Sequence, residues 1–322
     1  MSLAPEHVAL LPLLPEDRVG AVASIETITM GLSGAAVVAV TTTRGELVLR
    51  VRGREVSADD FAQQLRILRR ASAAGIAPEI VHVDVAARAV VSLRIAGMPI
   101  TAALANPTQR EAALGSVVDR LRALHALDPS SISDRDPVPF ARNAWIAVRE
   151  QPGFPPWADE LTGVFDAIAE RLVVDSRRVV SHNDVNPANV MWDGDRAWLI
   201  DWEVAGLGHP YYDLATLSLF LRLDDATAIA LVAKHDGVDA LHPSSRATFR
   251  DLRLLAGLLS GFTFLGLAKD LTVREAKTIE DAPTLGDCYS ALRTGQLDMR
   301  SSHGSVSMGL ALLREALTKP LG

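Results

Sequence analysis

The spacing of apolar residues changes near residue 95, and this change constrains the fold more than any other feature of the sequence. Before it, five short runs rich in β-branched residues are separated by turn-forming residues, at 24–30, 36–41, 46–51, 80–84 and 89–93. One helical spacing interrupts them at 57–75, with Ser57 as N-cap and Gly75 as the stop. We therefore predict an antiparallel sheet that carries one helix.

After this change the apolar spacing becomes helical, and Gly97 and Pro99 mark the transition. Helices are predicted at 110–127, 157–172, 211–223, 225–234, 245–269 and 306–317. The chain is thus predicted to be an α+β protein with two parts. A small N-terminal lobe spans 1–96, and a larger, mostly helical C-terminal lobe spans 97–322.

Composition and charge exclude several classes of protein. Of the 322 residues, 48% are hydrophobic and 22% are charged, which is typical of a globular chain and not of a disordered one. The net charge of -7 argues against a nucleic-acid partner and suits a cationic small substrate, although it equally serves solubility. The longest apolar run, 254–268, is shorter than the roughly 20 residues of a bilayer span. The single cysteine, Cys288, cannot form an internal disulfide, so we expect a cytoplasmic protein.

The segment 181–203 carries the chemistry. Two short strand patterns meet across a polar turn at 193–195, which predicts a hairpin. Before the hairpin, His182, Asp184 and Asn189 have the H-x-D-x-x-x-x-N spacing of kinase catalytic loops, and Asp201 follows the second strand. Phosphoryl transfer needs one carboxylate for the acceptor hydroxyl and separate oxygen ligands for Mg²⁺. Asp184 fits the first role, and Asn189 and Asp201 fit the second.

A purely structural interpretation of this segment is also available. Asp184 and Asn189 would then cap turns, His182 would be a core histidine, and Asp201 would end a strand. Each residue alone fits that interpretation. All four at this spacing, around one hairpin and behind a strand-rich lobe, favour a catalytic loop.

The segment resembles the aminoglycoside phosphotransferase and choline/ethanolamine kinase superfamily, whose fold is protein-kinase-like and bilobal. The loop 181–189 and the Asp201-Trp202-Glu203 segment carry the resemblance, with weaker support from 31–34, 48–51, 75–78, 121–125 and 208–215. The resemblance implies that ATP and Mg²⁺ are the cofactors. It also implies transfer of the γ-phosphoryl group to the hydroxyl of a small molecule.

The resemblance also places the nucleotide-binding residues and exposes one departure from the family pattern. It assigns Ser33, Gly34, Ser92 and Arg94 to the nucleotide and makes Arg50 the strand cation that binds phosphate. In the family this cation pairs with a helix glutamate, and that position falls here on Gln64. We therefore expect a hydrogen bond between Arg50 and Gln64, unless Asp59 or Asp60 replaces the glutamate.

The acceptor is the least determined part of the prediction. Asn183 and Glu203 resemble the choline, ethanolamine and thiamine kinases, since aminoglycoside enzymes tend to have glycine at both places. Glu203 and Tyr211 are the candidate acceptor residues, and His182 and Asp213 are expected to be structural. An amino alcohol is therefore the predicted acceptor. Aromatic residues make up only 5% of the chain, however, and a choline cage would need several of them.

Two alternatives and three questions stay open. The acceptor could instead be an aminoglycoside, and the departure at Gln64 is compatible with a nucleotide-binding pseudokinase that regulates a partner. The sequence does not determine the identity of the acceptor, the choice between ATP and GTP, or the oligomeric state.

Overall fold

A computed structural model describes residues 4–28, 35–151, 154, 156–172, 175–268 and 278–318. It divides into two compact units. Unit 1 comprises Met1–Ser133 and Pro187–Gly206, and unit 2 comprises Asp134–Asn186 and Leu207–Gly322. The lobe boundary at 96–97 stays a prediction. Each unit consists of two separate stretches of the chain, whereas each predicted lobe is one continuous stretch.

Unit 1 is built on a five-stranded antiparallel sheet. Its strands are β1 (Val22–Thr27), β2 (Ala36–Thr42), β3 (Gly45–Val51), β4 (Ile80–Asp84) and β5 (Ala89–Leu93). They lie in the order β1-β2-β3-β5-β4. Strand β1 begins two residues earlier than predicted and ends at Thr27, and the predicted residues 29 and 30 lie outside the described residues. The other four strands agree with the predicted ranges to within one residue at each end.

The core of this sheet follows from alternation along its central strands. Val38 and Val40 on β2 and Leu47 and Leu49 on β3 are buried, together with Val91 on β5. Burial of one sheet face by β-branched and leucine side chains is the main stabilising contribution in such a unit. It fixes the register, since a slip of one residue would expose every core side chain.

Among its described residues, unit 1 also contains five α-helices and a second, three-stranded sheet. The helices are α1 (Pro5–Val8), α2 (Glu16–Val19), α3 (Ala58–Ala73), α4 (Ile100–Ala105) and α5 (Arg110–His125). The predicted cap of α3 is present: the Ser57 hydroxyl accepts the N–H of Asp60 at 3.0 Å. The small sheet contains β6 (Met98–Pro99), β8 (Val190–Trp192) and β9 (Ala197–Leu199), of which β8 and β9 form the predicted hairpin. The Leu199 N–H donates to the Ile76 carbonyl at 2.9 Å, which ties this hairpin to the turn after α3.

Unit 2 is mostly helical. It contains α6 (Pro137–Arg149), α7 (Leu161–Leu172), α8 (Pro210–Phe220), α9 (Asp225–Asp236), α10 (Pro243–Leu267), α11 (Leu285–Arg293) and α12 (Ser302–Thr318). Strand β7 (Val179–Ser181) pairs with β10 (Gly206–Gly208). Helix α10 packs closely on α12, because a Cβ atom at Gly261 would lie 2.7 Å from the Leu313 side chain. In the described ranges, no helix combines the length and the apolar character needed to cross a bilayer.

The sequence prediction lacks five helices of the structure: α1, α2, α4, α6 and α11. Helix α6 lies in a proline-containing segment, and its prolines, Pro137 and Pro139, sit in the first helical turn, where no intrahelical N–H bond is lost. Asp136 caps it by accepting the N–H of Val138 at 2.9 Å. Proline was thus a start signal here, and not an interruption.

Candidate active site

In unit 2, the loop after strand β7 is held by a carboxylate from helix α8. The two oxygens of Asp213 accept the backbone N–H groups of His182, at 3.0 Å, and Asn183, at 2.7 Å. His182 and Asp213 are both fully buried, as their predicted structural role requires. Asp213 does not cap α8, because the His209 side chain occupies that position and accepts the Tyr211 N–H at 3.1 Å.

The backbone at Asn183 is left-handed, with φ of 62°. Asparagine and glycine are the residues that adopt this conformation at the least cost. The position is also crowded, because a Cβ atom on Gly208 of strand β10 would lie 2.5 Å from the Asn183 side-chain oxygen. The choice between asparagine and glycine at this place therefore follows from the backbone, which weakens Asn183 as an indicator of the acceptor.

Asp184, the predicted catalytic base, is oriented by its own loop. The Asn186 side-chain amide donates to Asp184 Oδ1 at 2.9 Å. Tyr212 on α8 is buried, and this burial raises the pKa of its hydroxyl, as do the negative charges of Asp184 and Asp213. The sequence analysis missed Asn186, although its position two residues after Asp184 is the usual spacing of a local side-chain hydrogen bond.

In unit 1, the predicted metal ligands Asn189 and Asp201 flank the hairpin. Asn189 ends a short 3₁₀ turn, Pro187–Asn189, and its carbonyl accepts the Ile200 N–H at 3.0 Å. Asp201 follows with a left-handed backbone, φ of 66°. The next residue, Trp202, is buried, and its indole N–H donates to the Leu199 carbonyl at 3.1 Å. The buried tryptophan fixes the segment that carries Asp201 and Glu203.

An ionic cluster in unit 1 contains two carboxylates, Arg50 of strand β3, and Arg52, which follows the end of that strand. Arg50 Nη1 donates to Asp201 Oδ1 and to Glu203 Oε1, at 2.8 Å each, and Arg52 forms an ion pair with the same Glu203 oxygen. Burial is the main cause that lowers the pKa of Arg52, and the charge of Asp201 opposes it. An arginine stays protonated in spite of such a shift, so the cluster balances two positive and two negative charges.

This cluster corrects the expectation about Gln64. The Gln64 amide does not bind Arg50; it donates to the backbone carbonyl of Glu203 at 2.8 Å. Asp59 and Asp60 do not replace the missing helix glutamate either, since the carboxylates on Arg50 are those of Asp201 and Glu203. The carboxylates of Asp201 and Glu203 both contact the Arg50 guanidinium, although the backbone at Asp201 is left-handed and 203–204 form a turn, so this is not the alternation of an extended strand.

Comparison with known proteins places the chain in a family. A model of the phosphotransferase enzyme family, APH, matches residues 24–247, which is most of the chain and includes every part of the site described above. The chain belongs to this family. The predicted superfamily and the predicted class of enzyme, a phosphotransferase, are thereby confirmed at the level of the family.

Solved structures support the predicted fold of this phosphotransferase. A choline/ethanolamine kinase family protein from Mesorhizobium loti matches with a TM-score of 0.68 and 22% identity, over 96% of this chain and 98% of the other. An aminoglycoside phosphotransferase from Streptomyces rimosus, solved with ADP and streptomycin, matches with a TM-score of 0.55 and 23% identity, over 80% and 99%. At these identities the likeness concerns the fold, and it confirms the predicted α+β, bilobal kinase-like class.

A curated relative is similar over a short segment. Protein LicA of Haemophilus influenzae is 47% identical over 36 residues, which is 11% of this chain and 14% of that protein. The matched segment therefore spans about one seventh of the relative's length.

Of the four residues predicted to bind the nucleotide besides Arg50, the structure describes two. Ser33 and Gly34 lie outside the described residues. Ser92 is in the middle of the sheet, between Val48 and Ile80. The Arg94 side chain is half exposed, with Nη1 3.2 Å from Glu46, and its N–H donates to the Glu46 carbonyl at 3.0 Å. The backbone N–H of Arg94 is therefore already bonded within the sheet.

Tyr211 does not suit the acceptor role predicted for it. Its ring is fully buried, lies 4.4 Å from the Arg177 guanidinium and has its hydroxyl bonded to Asp236. Other aromatic residues of unit 2 are likewise packed in the core, with Trp145 and Phe262 centroids 5.1 Å apart. These rings stabilise unit 2 and leave few aromatic faces for an ammonium group.

The donor atoms at the predicted metal site are compatible with Mg²⁺. Asn189 offers an amide oxygen and Asp201 a carboxylate, and magnesium prefers such oxygen ligands. Among the described residues, no group of three or more His, Cys, Asp or Glu side chains is arranged to hold a metal ion.

Proposed function

We propose that this chain is an ATP- and Mg²⁺-dependent O-phosphotransferase that acts on a small alcohol. The observation that carries the proposal is the orientation of Asp184, whose Oδ1 accepts the Asn186 amide at 2.9 Å on a loop anchored by Asp213. The Asn186 amide and the backbone bonds to Asp213 orient the Asp184 carboxylate and the loop that carries it. Membership of the phosphotransferase family and the ADP complex of a structural neighbour support the nucleotide.

The proposed reaction assigns one role to each charged side chain. Asp184 accepts the proton of the acceptor hydroxyl as the acceptor oxygen bonds to the γ-phosphorus. The bond from phosphorus to the β,γ-bridging oxygen breaks, and ADP leaves with its electron pair. Arg50 binds phosphate and offsets its negative charge. Bound Mg²⁺ would neutralise the triphosphate, and Asn189 and Asp201 are the residues that would hold it.

We infer that the acceptor is cationic and is an amino alcohol of the choline or ethanolamine type. The net charge of -7 and the similarity to the Mesorhizobium loti protein support this choice. An aminoglycoside is the second candidate, supported by the Streptomyces rimosus structure with streptomycin. Glu203 and Tyr211 no longer support an ammonium site, because one is paired with arginines and the other is buried.

ATP turnover with a panel of acceptors tests the proposal. Choline, ethanolamine, thiamine and streptomycin are each supplied with ATP and Mg²⁺, and ADP release is measured with ethylene glycol as the neutral control. Acceptor-dependent ADP release, greatest with a cationic alcohol, is expected. Nucleotide binding without turnover of any acceptor would favour the pseudokinase. Turnover limited to streptomycin would identify the aminoglycoside branch.

A further inference from the structure

The cluster around Arg50 raises the question of which residue holds this arginine when it binds phosphate. A phosphate-binding guanidinium needs a fixed direction, and the helix position that supplies a glutamate in related families is Gln64 here. Asp201 is one carboxylate partner of Arg50, but it is also a proposed metal ligand. A carboxylate shared with a metal ion is a poor permanent anchor for the arginine.

Glu203 has the features of the permanent anchor. Its Oε1 accepts Arg50 Nη1 at 2.8 Å and is paired with Arg52, so a single oxygen joins both arginines. Its backbone is also held, because the Gln64 amide donates to its carbonyl at 2.8 Å. The carboxylate is therefore fixed from strand β3 and from helix α3.

Arg52 completes the arrangement. Its side chain is 14% exposed, and it follows the end of strand β3, two residues after Arg50, with its N–H donating to the Arg88 carbonyl at 3.0 Å. A buried guanidinium is costly unless it is paired, and Glu203 supplies the partner. In return, Arg52 keeps the Glu203 oxygen in place beside Arg50.

We propose that Glu203, held by Arg52, is the positioning residue of the phosphate-binding Arg50, in place of a helix glutamate. The proposal rests on the proposed nucleotide-binding function. It removes Glu203 from the acceptor site, where the sequence analysis had placed it. It also assigns Gln64 a different function, which is to hold the backbone of Glu203.

Nucleotide affinity and acceptor kinetics in Glu203→Gln separate this role from acceptor binding. Loss of a charged hydrogen bond should weaken ADP binding about 10- to 100-fold in titration calorimetry, with and without Mg²⁺. The KM for ATP should rise while the KM for the acceptor stays the same. Glu203→Asp, which keeps the charge, should recover part of the affinity.

Variants of the arginines provide the matched comparison. Arg52→Gln should weaken ADP binding in the same direction as Glu203→Gln, and Arg52→Lys should do so less. Arg54 is exposed and two residues further along the chain, so Arg54→Gln should bind ADP like the wild type. Circular dichroism checks that each variant is folded. If Glu203→Gln does not fold, Glu203→Asp and the Arg52 variants provide the test.

The outcomes distinguish the two proposals. Unchanged ADP affinity in folded Glu203 and Arg52 variants would overturn the positioning role alone. A raised acceptor KM with unchanged ADP affinity would instead return Glu203 to the acceptor site. Failure of the wild-type chain to bind ADP or ATP would overturn the proposed function, and the positioning role with it.

Discussion

At the scale of single residues, this chain places its charges by hydrogen bonds from neighbouring backbone and amide groups. Asp213 holds two backbone N–H groups of the catalytic loop, and Asn186 holds one oxygen of Asp184. Such bonds to an ionised carboxylate are stronger than neutral ones. They orient the Asp184 carboxylate within its loop.

Replacement of Asp184 tests its role as the base. Asp184→Asn should lower kcat by about 10² to 10⁴, because general-base assistance is worth that factor. The KM for ATP should hardly change, since the residue is assigned to the acceptor proton. Asp195→Asn, an exposed change at the tip of the hairpin, should leave both constants unchanged. Steady-state kinetics decide, and a loss confined to KM would contradict the assignment.

Asn183 allows the backbone requirement to be separated from acceptor choice. Asn183→Gly keeps access to the left-handed conformation and should keep the preference among acceptors. Asn183→Ala should lower the free energy of unfolding by about 1 kcal/mol, because alanine is strained at positive φ. Thermal unfolding and relative kcat/KM values for two acceptors measure the two effects. A changed acceptor preference in Asn183→Gly would show that the side chain itself selects the acceptor.

At the scale of secondary-structure elements, strand β10 determines how closely the catalytic loop can approach it. Gly208 leaves room for the Asn183 side chain, and a Cβ atom there would also come within 3.0 Å of Ser181. The strand is short, so a displacement cannot be spread along it. The position of the loop that carries Asp184 thus depends on the absence of a single methyl group.

Gly208→Ala should displace this loop. Overpacking of this kind typically costs about 1 to 3 kcal/mol, and a misplaced catalytic group lowers kcat by up to about 10². The matched control is Gly163→Ala in helix α7, where a Cβ atom would meet nothing within 4 Å and alanine favours the helix. Unfolding midpoints and kcat are compared for the two variants. Equal behaviour of both would contradict the steric role of Gly208.

The elements that the sequence predicts well are those with a local signal. The strands of unit 1 and helix α3 follow from alternation, a serine cap and a glycine stop, which depend on near neighbours. The hairpin of β8 and β9 was predicted for the same reason. The partners of Arg50 were not, because Asp201 and Glu203 are about 150 positions away along the chain and no periodicity reports such a contact. The burial of Tyr211 likewise depends on Arg177 and Asp236, which only the fold brings together.

At the scale of the whole molecule, the two units each carry part of one short motif. Asp184 belongs to unit 2, whereas Asn189 and Asp201 belong to unit 1. The stability of each unit therefore matters for activity. In unit 2, protonation of the buried His209 should lower stability in acid. Its Nδ1 accepts the Tyr211 N–H, and its Nε2 lies 3.1 Å from Asp175.

Stability should fall between pH 6.5 and 4 because of His209. Burial lowers the pKa of His209 to about 4, although Asp175 opposes the shift, and the unfolded chain has a value near 6.5. Below pH 6.5 the unfolded state takes up the proton first, so folding loses about 1.4 kcal/mol by pH 5.5. The hydrogen bond from Arg177 is the main cause that lowers the pKa of Asp175. The stabilisation that this carboxylate contributes is lost only below about pH 4, where the unfolded chain begins to protonate it.

His209→Asn isolates this contribution. Asparagine can cap helix α8 but does not titrate, so the unfolding midpoint should depend less on pH between 7.5 and 5.5. His303→Asn, at an exposed position, should retain the wild-type dependence. Thermal unfolding at several pH values gives the comparison. An unchanged dependence in His209→Asn would assign the acid sensitivity to another group.

The bond from Gln64 to the carbonyl of Glu203 also has a mechanical consequence. Because the acceptor is a backbone atom, helix α3 is tethered to the segment after the hairpin whichever side chain occupies position 203. Salt screens the arginine–carboxylate pairs, but it has little effect on a bond between an amide and a carbonyl. The ion pairs of Arg50 with Asp201 and Glu203 can then change while the hydrogen bond from Gln64 still holds helix α3 to the segment. The ionic contacts and the mechanical attachment are separate in this chain, whereas a helix glutamate would combine them in one side chain.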